Sequence, residues 1–424
     1  MKELIPADNR ALEELFSDLG IEIVSEPLFD YGKLYSREDP YPVIFPSTPE
    51  QMQAIVGRAR KHQIPLRVRA SGHTFNGVSL PRKGELLLRP DRFDGFRFSE
   101  EGTITAGCGA LVWDVRDLVR DYGFDLPVYN GGWAGPTLGG YISAGGFGKG
   151  GLSHDYGGLW ENVREITLID GEGSLRTIAR QDREFPWIFG SYGQLGFLME
   201  AKLKLIPKEK GETPPYPLGA SGKIVKRQTD DPKENDRPPQ NGKKNNLFGF
   251  SLLVSQKELM KAWIDLYKFV KAHPHEIIPE GGWAGPFFKG APMGYYYFIR
   301  FFQFNPPLVY PQAEPFLVIG VMSRMCTGDR ASNQRTLQVE KAFIDLAKKG
   351  GYNLYPQAEN FGKNLDFCSY YGEEIYNAFM QLKRQFDPDM IFNPGVVFDR
   401  CLEHAESFRT RACGRRRSPS VRNN

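Results

Sequence analysis

Several features that would point to particular classes of protein are missing from this sequence. Its five cysteines are odd in number, widely scattered and never arranged as CxxC, which argues against a disulfide framework and a zinc site. It has no apolar run of about 18 residues, so no membrane span is expected. The first residues lead into a charged stretch without the apolar core of a secretory signal. These absences predict a cytoplasmic protein without a bound metal.

An excess of charge of one sign is also missing. The 54 basic and 51 acidic residues leave a net charge of +3, which is too small to suggest nucleic acid or a membrane surface as a partner. The exception is the arginine-rich segment 404–424, whose Ser, Pro and Asn content is typical of a disordered tail.

The length and the changes in composition along the chain predict two domains. A chain of 424 residues is too long for one ordinary compact core. Residues 207–246 are rich in Pro, Lys, Asp and Asn and poor in apolar residues, which predicts a flexible linker. We therefore expect one domain over 1–206 and a second over 247–385, where strands alternate with helices as in a sheet covered on one face.

A clear local pattern leads into the first candidate site. Thr48, Pro49 and Gln51 predict a capped helix start, and apolar residues at helical spacing continue the helix to about His62. A strand over 64–69 follows and runs into a loop of small residues and glycines, from Arg69 to Gly77. Such a loop lets backbone N–H groups approach a phosphate closely.

The glycine-dense segment 135–151 contains a misleading match. Gly146, Gly148 and Gly151 fit GxGxxG, but residues 152–158 are a poor helix former, so we reject a Rossmann dinucleotide site. A P-loop is excluded because Gly150 follows Lys149.

Short motifs nevertheless follow one another in a specific order and spacing. They are Arg69–Gly72–His73–Thr74–Gly77, Pro136–Thr137–Leu138–Gly139–Gly140, Ala144 to Gly148, Tyr156–Gly157 with Glu161–Asn162–Val163, Gly190 to Gly196, and Lys383 to Gly395. In this order they resemble the FAD-linked oxidases of the vanillyl-alcohol oxidase type, with local similarity to berberine-bridge-type oxidases and cytokinin dehydrogenases. The resemblance covers about residues 40–205 and 365–400.

The resemblance implies an α+β fold, with a two-subdomain PCMH-type FAD-binding domain and an antiparallel-sheet substrate domain covered by helices. Residues 386–403 would return to the FAD-binding domain. It also implies FAD, bonded covalently to His73. Gly135 stands where berberine-bridge-type relatives carry a second, cysteine link, so a single bond is expected. The implied FAD contacts are His73, Arg69, Ala70, Ser71, Gly72, Thr74, Asn76, Gly77, Gly135, Pro136, Thr137, Gly139, Gly140, Ser143, Gly145, Gly146, Gly148, Asn162, Val163, Gly193, Gly196 and Asn393.

By the same resemblance, the reaction is hydride transfer to flavin N5 from a CH–OH group of a small alcohol, sugar or alditol, with oxygen or another acceptor reoxidising the flavin. An amine substrate is the alternative, because residues 72–77 resemble the loop of cytokinin dehydrogenases, although residues 130–133 lack the Asp base of those enzymes. A non-catalytic flavin-binding protein is the third possibility. Candidate catalytic residues are Tyr370 and Tyr371 from a Y-Y-G-E stretch, Tyr297 and Arg300 on a predicted strand, and Tyr355.

Overall fold

The computed structural model describes residues 9–130, 135–146, 148, 152–209, 214–227, 244–279, 294–299, 305–312, 314–355 and 367–396. Over these residues helices and mostly antiparallel sheets occur side by side, which confirms the α+β class.

The first half of the chain builds two main sheets. Its helices are α1 (Asn9–Phe16), α2 (Pro49–His62), α3 (Val112–Asp121), α4 (Leu138–Ser143), α5 (Leu152–Tyr156) and α6 (Phe185–Ile188). Its strands are β1 (Glu22–Phe29), β2 (Ser36–Phe45), β3 (Leu66–Val68), β4 (Leu86–Leu88), β5 (Gly95–Glu100), β6 (Thr103–Gly107), β7 (Phe124–Asp125), β8 (Val163–Ile169), β9 (Leu175–Ala179), β10 (Phe197–Lys204), β11 (Ile206–Pro207) and β12 (Ser221–Lys223).

The two sheets differ in strand direction. One has the order β1-β2-β4-β3, in which β2, β4 and β3 run parallel and β1 is antiparallel to β2. The other has the order β12-β5-β6-β10-β8-β9 and is antiparallel throughout. A short ribbon of β11 and β7 accompanies them.

The second half is one antiparallel sheet with helices on one face. Its strands are β13 (Lys244–Ser255), β14 (Ile278–Pro279), β15 (Gly294–Ile299), β16 (Phe316–Cys326) and β17 (Asn353–Leu354), and its helices are α7 (Leu259–Ala272), α8 (Arg330–Gly350), α9 (Phe367–Tyr371) and α10 (Glu373–Phe386). Strand β16 pairs with β13, β14 and β15. The ring of Phe250 packs against Phe269 of α7 and Phe343 of α8, so these two helices cover the sheet as predicted.

Helix α2 begins where the sequence places it. The Thr48 Oγ1 atom accepts a hydrogen bond from the Gln51 N–H at 3.2 Å, and Pro49 occupies the first turn. The Gln51 side chain accepts from the Ser47 N–H at 2.9 Å, so its return contact is one residue earlier than in a standard capping box. Met52, Ile55, Val56 and Ala59 form the buried face.

Two sequence predictions need correction. Residues 152–156 were expected to be poor helix formers, yet they form α5; the segment still lacks Rossmann character, because its glycines follow helix α4 and not a strand. The segment 207–246 was expected to be a flexible linker or long loop without a strand. Ser221–Lys223 instead extends the six-stranded sheet, and Tyr216 packs on Phe98 and Phe124, because this polar segment keeps one anchoring aromatic residue.

The two halves share a core. A single buried cluster contains side chains of the six-stranded sheet, of β13 and β16, and of the loop 305–312. A second cluster lies between α1, α2 and the four-stranded sheet. The chain then returns to the first half after α10, where Phe392 forms a parallel bridge with Leu66 on the free edge of β3. No helix among the described residues combines the length and apolarity needed to cross a bilayer.

Candidate functional site

The loop between β3 and β4 is shaped by two glycines and carries His73. Gly72 and Gly77 have φ values of +70° and +66°, a region that favours glycine. The Thr74 N–H donates to the Gly72 carbonyl at 2.8 Å, which turns the chain tightly around His73. In the described part of the chain, the backbone N–H groups of Gly72, His73 and Gly77 make no hydrogen bond. They are therefore available to an anionic group such as a phosphate.

The imidazole of His73 lies in an aromatic environment. Its ring centroid is 4.2 Å from that of Tyr31 and 6.3 Å from that of Phe75. The Nδ1 atom is buried and has no hydrogen-bond partner among the described residues. Burial lowers the pKa of His73 to about 4, so the ring is neutral at physiological pH. A buried, neutral and unpartnered ring nitrogen is a potential nucleophile or ligand.

Gly135 lies directly against this nitrogen. A Cβ atom at position 135 would be 2.0 Å from His73 Nδ1, so only glycine allows the present position of the ring. The Ser71 Oγ atom donates to the Gly135 carbonyl and ties the two segments together. The loop 69–77 and the segment beginning at Gly135 therefore meet at His73.

The polar side chains of the loop contact the protein itself. The Arg69 guanidinium donates to Ser79 Oγ at 2.9 Å and to the Phe29 carbonyl at 2.7 Å, and Gly72 lies against it. The hydroxyls of Thr74 and Ser79 are 3.1 Å apart. The buried Asn76 carboxamide accepts from the Val78 N–H at 3.3 Å. These contacts fix the shape of the loop; that these side chains also touch FAD stays a prediction.

The segment 135–146 is packed by close backbone contacts. Thr137 caps α4 by accepting from the Gly140 N–H at 3.1 Å, and the Pro136 carbonyl accepts from Val112. Gly139 lies on the backbone and Cβ of Cys108, which explains why a cysteine outside the motif is buried there. The remaining predicted contacts in this region, Ala70, Ser143, Gly145, Gly146 and the buried Gly148, line the same loop and turn.

The turn before β8 is fixed by a buried asparagine. The Asn162 side chain donates to the carbonyls of Tyr156 at 2.9 Å and Gly158 at 3.2 Å, and Val163 is fully buried at the start of β8. This holds the end of α5 against the six-stranded sheet. Contact of these residues with the adenine half of FAD stays a prediction.

The C-terminal return contacts the loop region through Asn393. Its side chain accepts from the Val68 N–H and donates to the Tyr192 carbonyl, each at 2.8 Å. Gly193 lies so close that a Cβ there would be 2.7 Å from Asn393 Nδ2, and Gly196, with a φ of +142°, lies against the Ile169 carbonyl. Asn393 and the 190–196 turn thus brace β3 just before the His73 loop.

The structure describes some of the predicted catalytic residues and leaves others outside its described ranges. The Tyr370 hydroxyl donates to the Leu354 carbonyl at 3.0 Å and accepts from its N–H at 2.9 Å. The Tyr371 hydroxyl donates to the Leu308 carbonyl at 3.0 Å, and burial raises its pKa. Tyr355 is partly buried nearby. Arg300 and the side chain of Tyr297 lie outside the described residues; strand β15, which carries Tyr297, contacts α5.

Some residues of the site could not be identified from the sequence. Tyr31 packs on His73 from the connection between β1 and β2, about 40 residues earlier in the chain, with no motif to mark it. The buried Lys383 amino group donates to the Gln194 carbonyl and to Asp387, each at 2.9 Å. The lysine belongs to the recognised closing motif, but its burial is visible only in the structure.

Comparison with known proteins bears directly on this arrangement. Residues 40–179 match the model of a FAD binding domain. An uncharacterized oxidoreductase from the fasciation locus of Rhodococcoides fascians is 28% identical over 178 residues, which cover 42% of this chain and 40% of that protein. Reticuline oxidase of Eschscholzia californica is 28% identical over 194 residues, 43% of this chain and 34% of that enzyme. Cytokinin dehydrogenase 5 of Arabidopsis thaliana is 26% identical over 196 residues, 42% of this chain and 34% of that protein.

The matched residues include the His73 loop, Gly135 and the α4–α5 segment. In this stretch the chain is similar to a FAD binding domain, and the matched relatives are named as an oxidoreductase, a reticuline oxidase and a cytokinin dehydrogenase. The matches span between a third and two fifths of the length of these relatives.

Proposed function

We propose that this protein is a FAD-dependent oxidoreductase in which His73 holds the flavin covalently. The observation that carries the proposal is the His73 Nδ1 atom, which is buried, neutral and without a hydrogen-bond partner among the described residues. Such an atom is costly unless a bound group uses it. The glycine at 135 places no side chain against this nitrogen and supplies no second nucleophile.

The remaining residues of the site would bind the phosphates of FAD and keep the surrounding loop in its shape. The N–H groups of Gly72, His73 and Gly77 would bind the phosphates of FAD, while Arg69, Ser71 and Asn393 keep the loop and its neighbours in place. When bound, the flavin supplies a hydride acceptor, and the protein contributes binding, orientation and electronic tuning.

For the substrate, we propose a CH–OH group of a small alcohol, sugar or alditol, with oxygen or another acceptor taking the electrons. Strand β15 supports a position for Tyr297 near the glycine-rich segment, because β15 contacts α5. Arg300, Tyr355, Tyr370 and Tyr371 are proposed to line the substrate side. Since the hydroxyls of Tyr370 and Tyr371 are engaged with backbone carbonyls, we assign them support of the loop 305–312 and of β17 in addition.

The similarity to a cytokinin dehydrogenase favours an amine as the second candidate substrate class. Anaerobic bleaching of the flavin absorption distinguishes the two classes. Reduction by alditols or sugars and not by secondary amines supports the first, and the reverse result supports the second. Reoxidation by oxygen compared with an artificial dye then separates an oxidase from a dehydrogenase.

The attachment is tested by acid precipitation of wild type, His73→Ala and His275→Ala, followed by absorbance and intact mass of the pellet. His275 is exposed in the second half and serves as the control. We expect wild type and His275→Ala to keep the flavin in the pellet and His73→Ala to release it. Release from wild type would contradict a covalent bond, and a protein that never carries flavin would contradict the proposed function altogether.

A further inference from the structure

The connection between β1 and β2, residues 30–35, forms a wall beside the His73 loop. The Tyr31 N–H donates to the Thr74 carbonyl at 2.8 Å, and the Tyr31 ring packs on His73 at an interplanar angle of 37°. At the other end, a Cβ on Gly77 would be 2.8 Å from the ring of Tyr35. The 30–35 connection therefore contributes, together with Gly135, to the position of the imidazole.

Asp30, at the start of this connection, is fully buried. Its Oδ1 atom accepts from the N–H groups of Leu34 at 3.1 Å and Tyr35 at 3.2 Å, which closes the turn. Its Oδ2 atom has no partner in the part of the chain that the structure describes. One oxygen is thus enough to shape the turn, and the second remains unused.

Glu340, in the second half of the molecule, is the third buried polar group of this region. It lies on the inner face of α8 with 1% of its surface exposed, and neither carboxyl oxygen has a hydrogen-bond partner within the described ranges. The buried Tyr35 hydroxyl is unpartnered as well. The charge of Asp30 acts on Glu340, and the charge of Glu340 acts on Tyr35, so we treat these three buried groups together as the 30–35–340 cluster.

The cluster is most stable when it is uncharged. Burial raises the pKa of Asp30 to about 7, with Arg69 and Lys33 acting in the opposite direction. Burial, and then the nearby Asp30, raise the pKa of Glu340 well above its usual range. Burial also raises the pKa of Tyr35. An ionised carboxylate in this position would lack both water and a partner, which is strongly unfavourable.

We propose that Asp30, Tyr35 and Glu340 form a positioning cluster that holds the 30–35 connection, and through Tyr31 the imidazole of His73, in place for flavin attachment. The proposal rests on the proposed function of His73. The three polar groups come from both halves of the chain, and each has a buried oxygen without a hydrogen-bond partner among the described residues. As the pH rises the carboxyl groups lose protons, and repulsion between them loosens the wall beside His73.

The direction in which pH changes the stability of the folded state follows from the number of protons bound by the folded and by the unfolded chain. Between pH 4 and pH 7 folded Asp30 holds a proton that the unfolded chain has lost, so this group lowers stability as the pH rises. His73 acts in the opposite direction below pH 6.5, because its folded pKa is depressed. The two effects partly cancel in the wild type, so the informative quantity is the difference between variant and wild type.

The experiment compares purified wild type with Asp30→Asn, Glu340→Gln and, as control, Asp345→Asn on the exposed face of α8. Asparagine at 30 keeps an oxygen for the two N–H groups and cannot ionise. We expect the Tm of Asp30→Asn minus that of wild type to rise by about 3–8 °C between pH 4.5 and 7.5. Glu340→Gln should show the same sign, and Asp345→Asn a difference independent of pH.

The second readout is the flavin absorption spectrum of the same samples. We expect the flavin absorption band of the wild type to change with pH around pH 7. The band of Asp30→Asn should not show this change. Equal pH profiles of wild type, Asp30→Asn and Glu340→Gln in both readouts would overturn the proposal. If intact mass shows that wild type carries no covalent flavin, the proposed attachment to His73 is wrong. The proposal for the cluster is then tested only by the pH dependence of the Tm differences.

Discussion

At Gly135, even a methyl group would collide with the imidazole of His73, because a Cβ there would lie 2.0 Å from Nδ1. Gly135→Ala should therefore move the ring away from its present position. We expect the fraction of protein carrying covalent flavin, measured by intact mass, to fall several-fold. The protein should still fold, since Gly135 has no left-handed φ and alanine brings no backbone strain at this position.

A matched glycine separates this effect from a general response to mutation. Gly57 lies on the exposed face of α2, and a Cβ there meets nothing within 4 Å. Gly57→Ala should raise the free energy of unfolding by roughly 0.5–1 kcal/mol through helix propensity and leave flavin attachment unchanged. Unchanged attachment in Gly135→Ala would mean that the ring can occupy another position and still react.

At the scale of secondary-structure elements, the closing turn after α10 depends on one buried ion pair. Lys383 and Asp387 are both fully buried, and the lysine also donates to the carbonyls of Gln194 and Phe392. Lys383→Met leaves the Asp387 carboxylate without its cation. We expect the free energy of unfolding to fall by about 3–5 kcal/mol in denaturant titrations.

The same turn offers an exposed pair as the control. Arg60 of α2 and Asp389 are 2.6 Å apart, but both side chains are substantially exposed to water. Arg60→Ala should cost less than about 1 kcal/mol. A comparable loss in both variants would show that the turn is sensitive to any change of charge, and would contradict a special role for burial.

At the scale of the whole molecule, Gly145 in the first half packs against Val309 in the loop 305–312. Its φ is +71°, and a Cβ there would be 2.3 Å from a methyl group of Val309 in the loop 305–312. Gly351 has a similar φ of +75° with nothing within 4 Å. Both alanine variants carry backbone strain of about 1–2 kcal/mol, but Gly145→Ala adds an overlap of about 1–3 kcal/mol with a stiff side chain.

We therefore expect Gly145→Ala to be clearly less stable than Gly351→Ala in thermal unfolding. It should also expose the loop 305–312 to limited proteolysis, since the packing of this loop on the first half is what the overlap disturbs. Equal stability and equal cleavage of the two variants would mean that the loop can shift without cost.

The sequence predicts those structural features that are determined by residues close together in the chain. The cap at Thr48, the turn glycines Gly72 and Gly77 and the α7–α8 layer are determined by neighbouring residues, so a pattern reveals them. Contacts between distant positions, such as Gly135 with His73 or Asn393 with Val68, leave no periodic signal. Tyr216 illustrates the limit: one aromatic residue was enough to join part of a polar segment to a sheet.

The bridge between Leu66 and Phe392 also constrains how the protein can be made. Strand β3 is the edge of its sheet, and the residue that braces Val68 is Asn393, 325 positions later. At roughly 5–20 residues per second, a ribosome needs about 15–65 s to reach it. Throughout that interval the nascent chain presents an uncovered strand edge, the kind of surface on which chains aggregate. Slower synthesis of the second half should therefore lower the yield of folded protein, and a chaperone that shields this edge should restore it.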